Sequence, residues 1–208
     1  MQKITDIKIN KNNIKRSSVF IDNSFSFIVS KYVLNKNRIK IGLNINDLDI
    51  KNLIFEDNFF NAKKIALNLL AFKGRSSKEI IDRLVKKEFS NEIISNIIDD
   101  LIKNKFLNDY EFARVYALDK IRNKKLGPLL LKNELFKKGI SKSIIDSIIK
   151  EFYDNETKKK LITDIFNKKT NYQIKLDKKE LNKIINYVRR RGYNWEDIQP
   201  VIVDFYES

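Results

Sequence analysis

The stretch LFKKGISKSIIDSIIKEF, residues 135–152, has two echoes: LVKKEFSNEIISNIIDDL at 84–101 and VRRRGYNWEDIQPVIVDF at 188–205. The copies start at 84, 135 and 188, so the offsets are 51 residues (135 − 84) and 53 (188 − 135), with no gap inside the stretch. Each opens on an apolar residue: Leu84, Leu135, Val188. A basic pair follows: Lys86–Lys87, Lys137–Lys138, and Arg190–Arg191 with Arg189 before it. Then come Glu88, Gly139 or Gly192, a large apolar residue (Phe89, Ile140, Tyr193), and Ser90, Ser141 or Asn194.

The second half of each copy has helical spacing. Ile94, Ile97, Ile98 and Leu101 stand at i, i+3, i+4 and i+7, as do Ile145, Ile148, Ile149 and Phe152, and Ile198, Val201, Ile202 and Phe205. Such a stripe buries one helix face. Ser and Asn satisfy free amides at a helix start. Each copy therefore reads as helix end, tight corner, helix start. Recurrence at this period indicates stacked units, none of which buries its apolar face alone.

Working outward, the spacing predicts a mainly α chain: an array of three three-helix repeats behind a small β-rich N-terminal segment. ITDIKI (4–9), VFI (19–21) and FSFIV (25–29) alternate and are β-branched or aromatic, with a tight turn at Asp22-Asn23-Ser24. RIKI (38–41) reads as a fourth strand. The expected boundaries are 1–45 for the β-rich segment, 46–60 for a connecting helix, and 61–107, 108–154 and 155–208 for the repeats. Ser76 with Glu79 forms a predicted capping box, Asn108 with Glu111 and Asp177 with Glu180 mark further helix starts, and Pro128 suits a first helical position. Residues 167–176 read as a polar loop. Pro200 falls inside the last helix, where it is expected to kink the helix or delay its start.

No run approaches the ~18 apolar residues of a membrane span, and MQKITDIKIN lacks the apolar stretch of a signal peptide. With no cysteine there is no disulfide framework, so the cytoplasm is the default compartment. The absence of histidine and cysteine removes the commonest acid–base group and nucleophile. No glycine cluster builds a phosphate loop. Asp99 and Asp100 diverge by about 100° on a helix, which makes a solvated face the better reading than a metal pair. No catalyst, cofactor or metal is expected.

A net charge of +15 points to anionic partners, nucleic acid above all. Beside that stands the bland reading of a lysine excess driven by composition. Cations at helix ends also compensate the helix dipole. If the repeats stack in register, the basic pairs line one edge. The candidate partner-binding residues are Lys86, Lys87, Lys120, Arg122, Lys124, Lys125, Lys132, Lys137, Lys138, Arg189, Arg190 and Arg191. Phe89, Phe152 and Phe205 read as core; Trp195 is either packing residue or interface anchor.

The second unit resembles the RecX family of bacterial regulatory proteins. FLNDYEFARVYALDKIRNKKLGPLLLKNELFKKGIS (106–141) carries Leu107, Asp109, Phe112-Ala113, Arg122, Gly127-Pro128, Glu134-Leu135 and Lys138-Gly139-Ile140. The first unit adds Arg75-Ser76-Ser77, Glu79 and Leu84, the third Arg191-Gly192-Tyr193, Trp195 and Ile198. Glu88 departs from the glycine of the other copies. The resemblance spans about residues 60–207, and the β-rich segment is similar to the N-terminal extension of some members. It implies a non-enzymatic regulator of DNA repair and recombination; a monomer is expected because nothing in the sequence compels a dimer. Such a regulator would bind the RecA recombinase or its DNA filament and modulate, preferentially inhibit, its recombinase and ATPase activity. The alternative is a sequence-independent binder of single- or double-stranded DNA that needs no recombinase.

Overall fold

The computed structural model describes residues 2–172, 176–203 and 205, and divides into two compact units. The first comprises residues 1–73 and 81–106, the second 74–80 and 107–208.

In the first unit, β1 (Gln2–Asn10), β2 (Asn13–Ile21), β3 (Ser24–Ser30) and β4 (Asn44–Ile45) form an antiparallel sheet in the order β3-β2-β1-β4. Asp22 and Asn23, at φ 46° and 66°, make the expected tight turn. Two left-handed residues match the twist of the flanking strands.

RIKI is not a strand. Ser30 caps a short helix, α1 (Lys31–Lys36), by accepting from the Val33 amide. Arg38 is left-handed at φ 52°, and the Ile39 amide returns to the Leu34 carbonyl over 2.9 Å. The segment is thus a helix C-cap with its apolar clasp, a local hydrogen-bond closure that outcompetes β propensity. The fourth strand forms later, where Asn44 and Ile45 pair with Lys3 and Gln2.

The connecting helix and the first repeat helix are one: α2 runs unbroken from Asp47 to Phe72. Asn46 and Asp49 cap it reciprocally. Nothing between Leu53 and Asn61 is a helix breaker, so propagation continues. Leu53 joins the apolar core of Ile4, Val19, Phe27, Val29 and Val33. The Asp57 carboxylate, 2% exposed, takes the Ser30 amide at 2.7 Å, Arg16 Nη2 at 2.7 Å and Asn61 Nδ2 at 3.1 Å. That fixes α2 to β2 and β3. Further along, α2 packs on α4 (Asn91–Lys103), with Ala62 and Ala66 buried and Lys63 paired to Asp100 at 2.7 Å. Asp100 is therefore an ion-pair partner. Between them lies α3 (Ser77–Val85), with Leu84 buried in this unit.

The second unit holds the start of α3 and six further helices: α5 (Asp109–Lys124), α6 (Pro128–Lys137), α7 (Lys142–Phe152), α8 (Asn155–Thr170), α9 (Lys178–Arg190) and α10 (Trp195–Ile202). The second and third repeats share one core, in which Leu131, Leu135, Ile145, Ile148, Ile162, Phe166, Val188, Ile198 and Val201 are all buried. Phe205 joins it, while Phe152 is only partly covered against it, as Phe89 is partly buried in the first unit. The polar loop begins at 171 rather than 167, because α8 continues to Thr170 and closes on left-handed Asn171; residues 173–175 of that expectation lie outside the described ones. Pro200 does not delay α10. The reciprocal cap between Asn194 and Asp197 starts the helix at Trp195, and the proline sits two residues before its end.

Candidate partner-binding surface

The three basic pairs sit on one kind of corner. At the end of α3, the Glu88 amide bonds the Val85 carbonyl at 2.8 Å and the Phe89 amide the Leu84 carbonyl at 3.3 Å. At the end of α6, Gly139 and Ile140 repeat this on Phe136 and Leu135, at 2.9 and 3.2 Å. At the end of α9, the Gly192 amide bonds the Arg189 carbonyl at 2.9 Å. Glu88, Gly139 and Gly192 are all left-handed, at φ 63°, 77° and 94°. Glu88 therefore adopts the glycine conformation and carries its steric cost. The paired cations lie at the C-terminal ends of their helices, the negative end of the helix dipole.

The corner of one repeat docks on the entry to the second helix of the repeat before. Ser76 Oγ donates to the Lys138 carbonyl at 2.7 Å, and the Gly127 amide donates to the Arg191 carbonyl, also at 2.7 Å. Ser76 and Gly127 precede α3 and α6 at equivalent positions. The fit is close: a Cβ on Gly127 would lie 2.6 Å from the Gly192 carbonyl carbon, and one on Gly192 2.5 Å from the Leu130 nitrogen.

This docking divides the second and third basic runs, while Lys86 and Lys87 both stay exposed. Lys138 turns inward. Its Nζ is 2.9 Å from Glu79 and lies over the Phe112 and Tyr116 rings at 5.6 and 5.0 Å. Burial pushes the Glu79 carboxyl up. The hydrogen bonds from Lys138 and the Ser76 amide, with the charges of Lys138 and Arg75, outweigh burial and hold it below the usual carboxylate range. Tyr116 donates to Glu134 at 2.6 Å, and burial followed by that bond raises its hydroxyl pKa. Arg191 also turns inward, donating Nη1 to the Lys124 carbonyl at 2.6 Å and Nε to the Tyr187 hydroxyl at 3.1 Å. The Tyr153 hydroxyl donates to the Leu126 carbonyl, the Tyr193 hydroxyl lies 3.2 Å from the Lys125 carbonyl and 3.4 Å from that of Leu126, and burial raises both phenols.

Other predicted cations are also engaged. Lys120 lies over Tyr116 at 4.8 Å with only 18% of its side chain exposed, Lys125 pairs with Asp164 at 2.9 Å, and Lys132 with Asp146 at 3.3 Å. What remains exposed and without a described partner is Arg122, Lys124, Lys137, Arg189 and Arg190 in the second unit, and Lys86 and Lys87 in the first.

Two apolar residues belong with these cations and were not legible as such. Val85 and Phe136 stand at equivalent positions just before their basic pairs, 52% and 73% exposed. On α6 the exposed face runs Leu129, Lys132, Phe136, Lys137. The sequence signal was there: the apolar residue after a buried leucine points about 100° away from the core face. An exposed aromatic among cations suits a protein interface better than a purely solvated surface. Trp195 is half exposed.

Family models match the N-terminal segment and the first two repeats. Residues 2–46 match the regulatory protein RecX N-terminal domain, 62–101 the first RecX three-helix domain, and 108–148 the second. The regulatory protein RecX of Clostridium acetobutylicum is 33% identical over 210 residues, covering 99% of this chain and 97% of that protein. That of Clostridium beijerinckii is 32% identical over 208 residues, covering 97% and 95%. A crystal structure of regulatory protein RecX is similar in fold, with a TM-score of 0.73 over 98% of this chain and 100% of the other at 21% identity. That of RecX from Lactobacillus salivarius gives 0.62 over 72% and 97% at 25% identity. The matched models cover more than half of the residues, and with these relatives they show that the chain belongs to the RecX family of regulatory proteins.

Proposed function

We propose that this chain is a non-enzymatic regulator acting in the cytoplasm on the RecA recombinase or its DNA filament. In this reading it binds as a monomer and lowers RecA's ATPase and recombinase activity, and so regulates DNA repair and recombination. The observation that carries the reading is the divided basic pair. Lys138 and Arg191 hold the repeats together, which leaves Lys137, Arg189 and Arg190 as outward cations at fixed positions on a rigid scaffold. A net charge of +15 favours encounter with an acidic protein surface or with phosphate. Exposed Phe136 and Leu129 add apolar area that a bare polyanion does not need. Binding that is tighter to one filament state than another shifts the filament toward that state.

The test is ATP hydrolysis by RecA on single-stranded DNA with the chain titrated in. The expected outcome is progressive loss of hydrolysis, weakened by Lys137→Glu with Arg190→Glu. Unchanged hydrolysis at saturation would remove the proposal. Tight binding to naked DNA with no effect on RecA would favour the recombinase-independent reading.

A further inference from the structure

The sheet unit carries a groove that the regulator reading leaves unused. It measures about 470 Å³, within the range of ligand sites, and lies where the start of β2, the end of β3, the first turn of α1 and the middle of α2 meet. Its wall includes Ile14, Lys15, Lys31, Tyr32, Phe60 and Lys64.

Two features of this wall point the same way. The first is a ring platform. Tyr32 and Phe60 stack with centroids 4.3 Å apart and planes at 14°, and Tyr32 is 49% exposed. Phe60 is partly buried, and a Tyr32 ring left this open on top of it contributes little to a core. It offers a flat apolar face to a further planar ring. The second is uncompensated charge. Arg16 also lines the groove, but Asp57 neutralises it from below at 2.7 Å. No acidic side chain lines the groove, and Lys15, Lys31 and Lys64 are exposed with no described carboxylate partner. The floor is firm, because buried Asp57 ties β2, β3 and α2 together there.

Flat rings flanked by free cations recognise a ligand that alternates planar rings and anions. We infer that this groove binds single-stranded nucleic acid, a base stacking on Tyr32, which Phe60 backs, while phosphates pair with Lys15, Lys31 and Lys64. A duplex keeps its bases stacked on each other and offers the platform nothing. An acidic peptide would use the lysines but not the rings. The site acts without RecA and does not rest on the regulator reading.

The experiment is fluorescence anisotropy of a labelled ~20-nucleotide oligothymidylate with the full chain, RecA absent, over a salt series. Tyr32→Ala is expected to weaken binding about tenfold, in line with loss of one stacked base. Tyr32→Phe, which keeps the ring, stays within about twofold of the parent and shows that the ring matters rather than the hydroxyl. Lys15→Glu with Lys64→Glu, both on the surface, reduces the slope of log affinity against log salt by about 1.4, or about 0.7 for each lost phosphate contact. Melting curves establish that each variant is folded. Unchanged affinity in folded Tyr32→Ala overturns the inference. So does a duplex bound as tightly as the single strand, or displacement of the oligonucleotide by polyglutamate at equal charge. A null result in the RecA hydrolysis assay leaves these outcomes intact.

Discussion

Ser76 and Lys138 are 62 residues apart, and the hydroxyl of one donates to the main-chain carbonyl of the other over 2.7 Å. In the next pair of repeats, Gly127 and Arg191 make the same junction with an amide in place of the hydroxyl. The junction assigns different duties to adjacent cations, which can be separated by mutation.

Lys138→Met removes the ion-pair partner of partly buried Glu79 and leaves its carboxylate with the Ser76 amide and the Arg75 charge alone. A stability loss of about 1–2 kcal/mol is expected in urea denaturation. Lys137→Glu, exposed, stays within about 0.5 kcal/mol of the parent but weakens the effect on RecA. Equal stability losses in the two variants contradict the division.

The corner residues should respond with opposite signs. Gly192→Ala places a Cβ 2.5 Å from the Leu130 nitrogen at φ 94°, and should cost about 3 kcal/mol from backbone strain and overpacking together. Glu88→Gly relieves the same left-handed conformation where no glycine stands, and should stabilise by about 0.5–1 kcal/mol. Thermal melting of both variants beside the parent decides the matter.

Acid should weaken the first junction of the stack. The folded-state pKa of Glu79 lies below its unfolded value. The folded state therefore binds fewer protons between the two values, and stability rises with pH there. Its contribution is fully present above the unfolded value of about 4.3 and is lost as pH falls through the folded one. Denaturation midpoints of Glu79→Gln should fall less steeply than the parent's below about pH 4.5. Parallel curves contradict this.

Asp57→Ala removes three hydrogen bonds and leaves Arg16 without its counter-ion beside a buried site. A loss of about 3 kcal/mol or more is expected, by chemical denaturation. A loss under about 1 kcal/mol would mean that the sheet is held to α2 by apolar packing alone.

The threefold stretch made the repeats legible because its signals agree: a left-handed break, a cap and an apolar stripe recur in step. Ser90, Ser141 and Asn194 cap α4, α7 and α10 as their residue types predict. RIKI misleads because its alternation is real, yet Arg38 and Ile39 close a helix whose cap, Ser30, lies eight residues upstream of Arg38. The division of α2 into two helices misleads for a related reason. A change of burial partner from sheet to helix needs no break in the backbone. Within the candidate site, spacing identified the paired cations but could not show which of them turn inward. Lys138 and Arg191 are distinguished by their contacts with Glu79 and with the Lys124 carbonyl, residues remote in sequence.

The unbroken α2 has a mechanical corollary. At about 1.5 Å per residue its 26 residues make a shaft about 39 Å long. Asp57 keys that shaft to the strands, and six positions on, Lys63 keys it to Asp100 of α4. Each residue advances the helix by about 100°, so the two keys stand in fixed angular phase. A single residue added between them would turn one key away from its slot while the other stayed seated, a far harsher change than its size suggests.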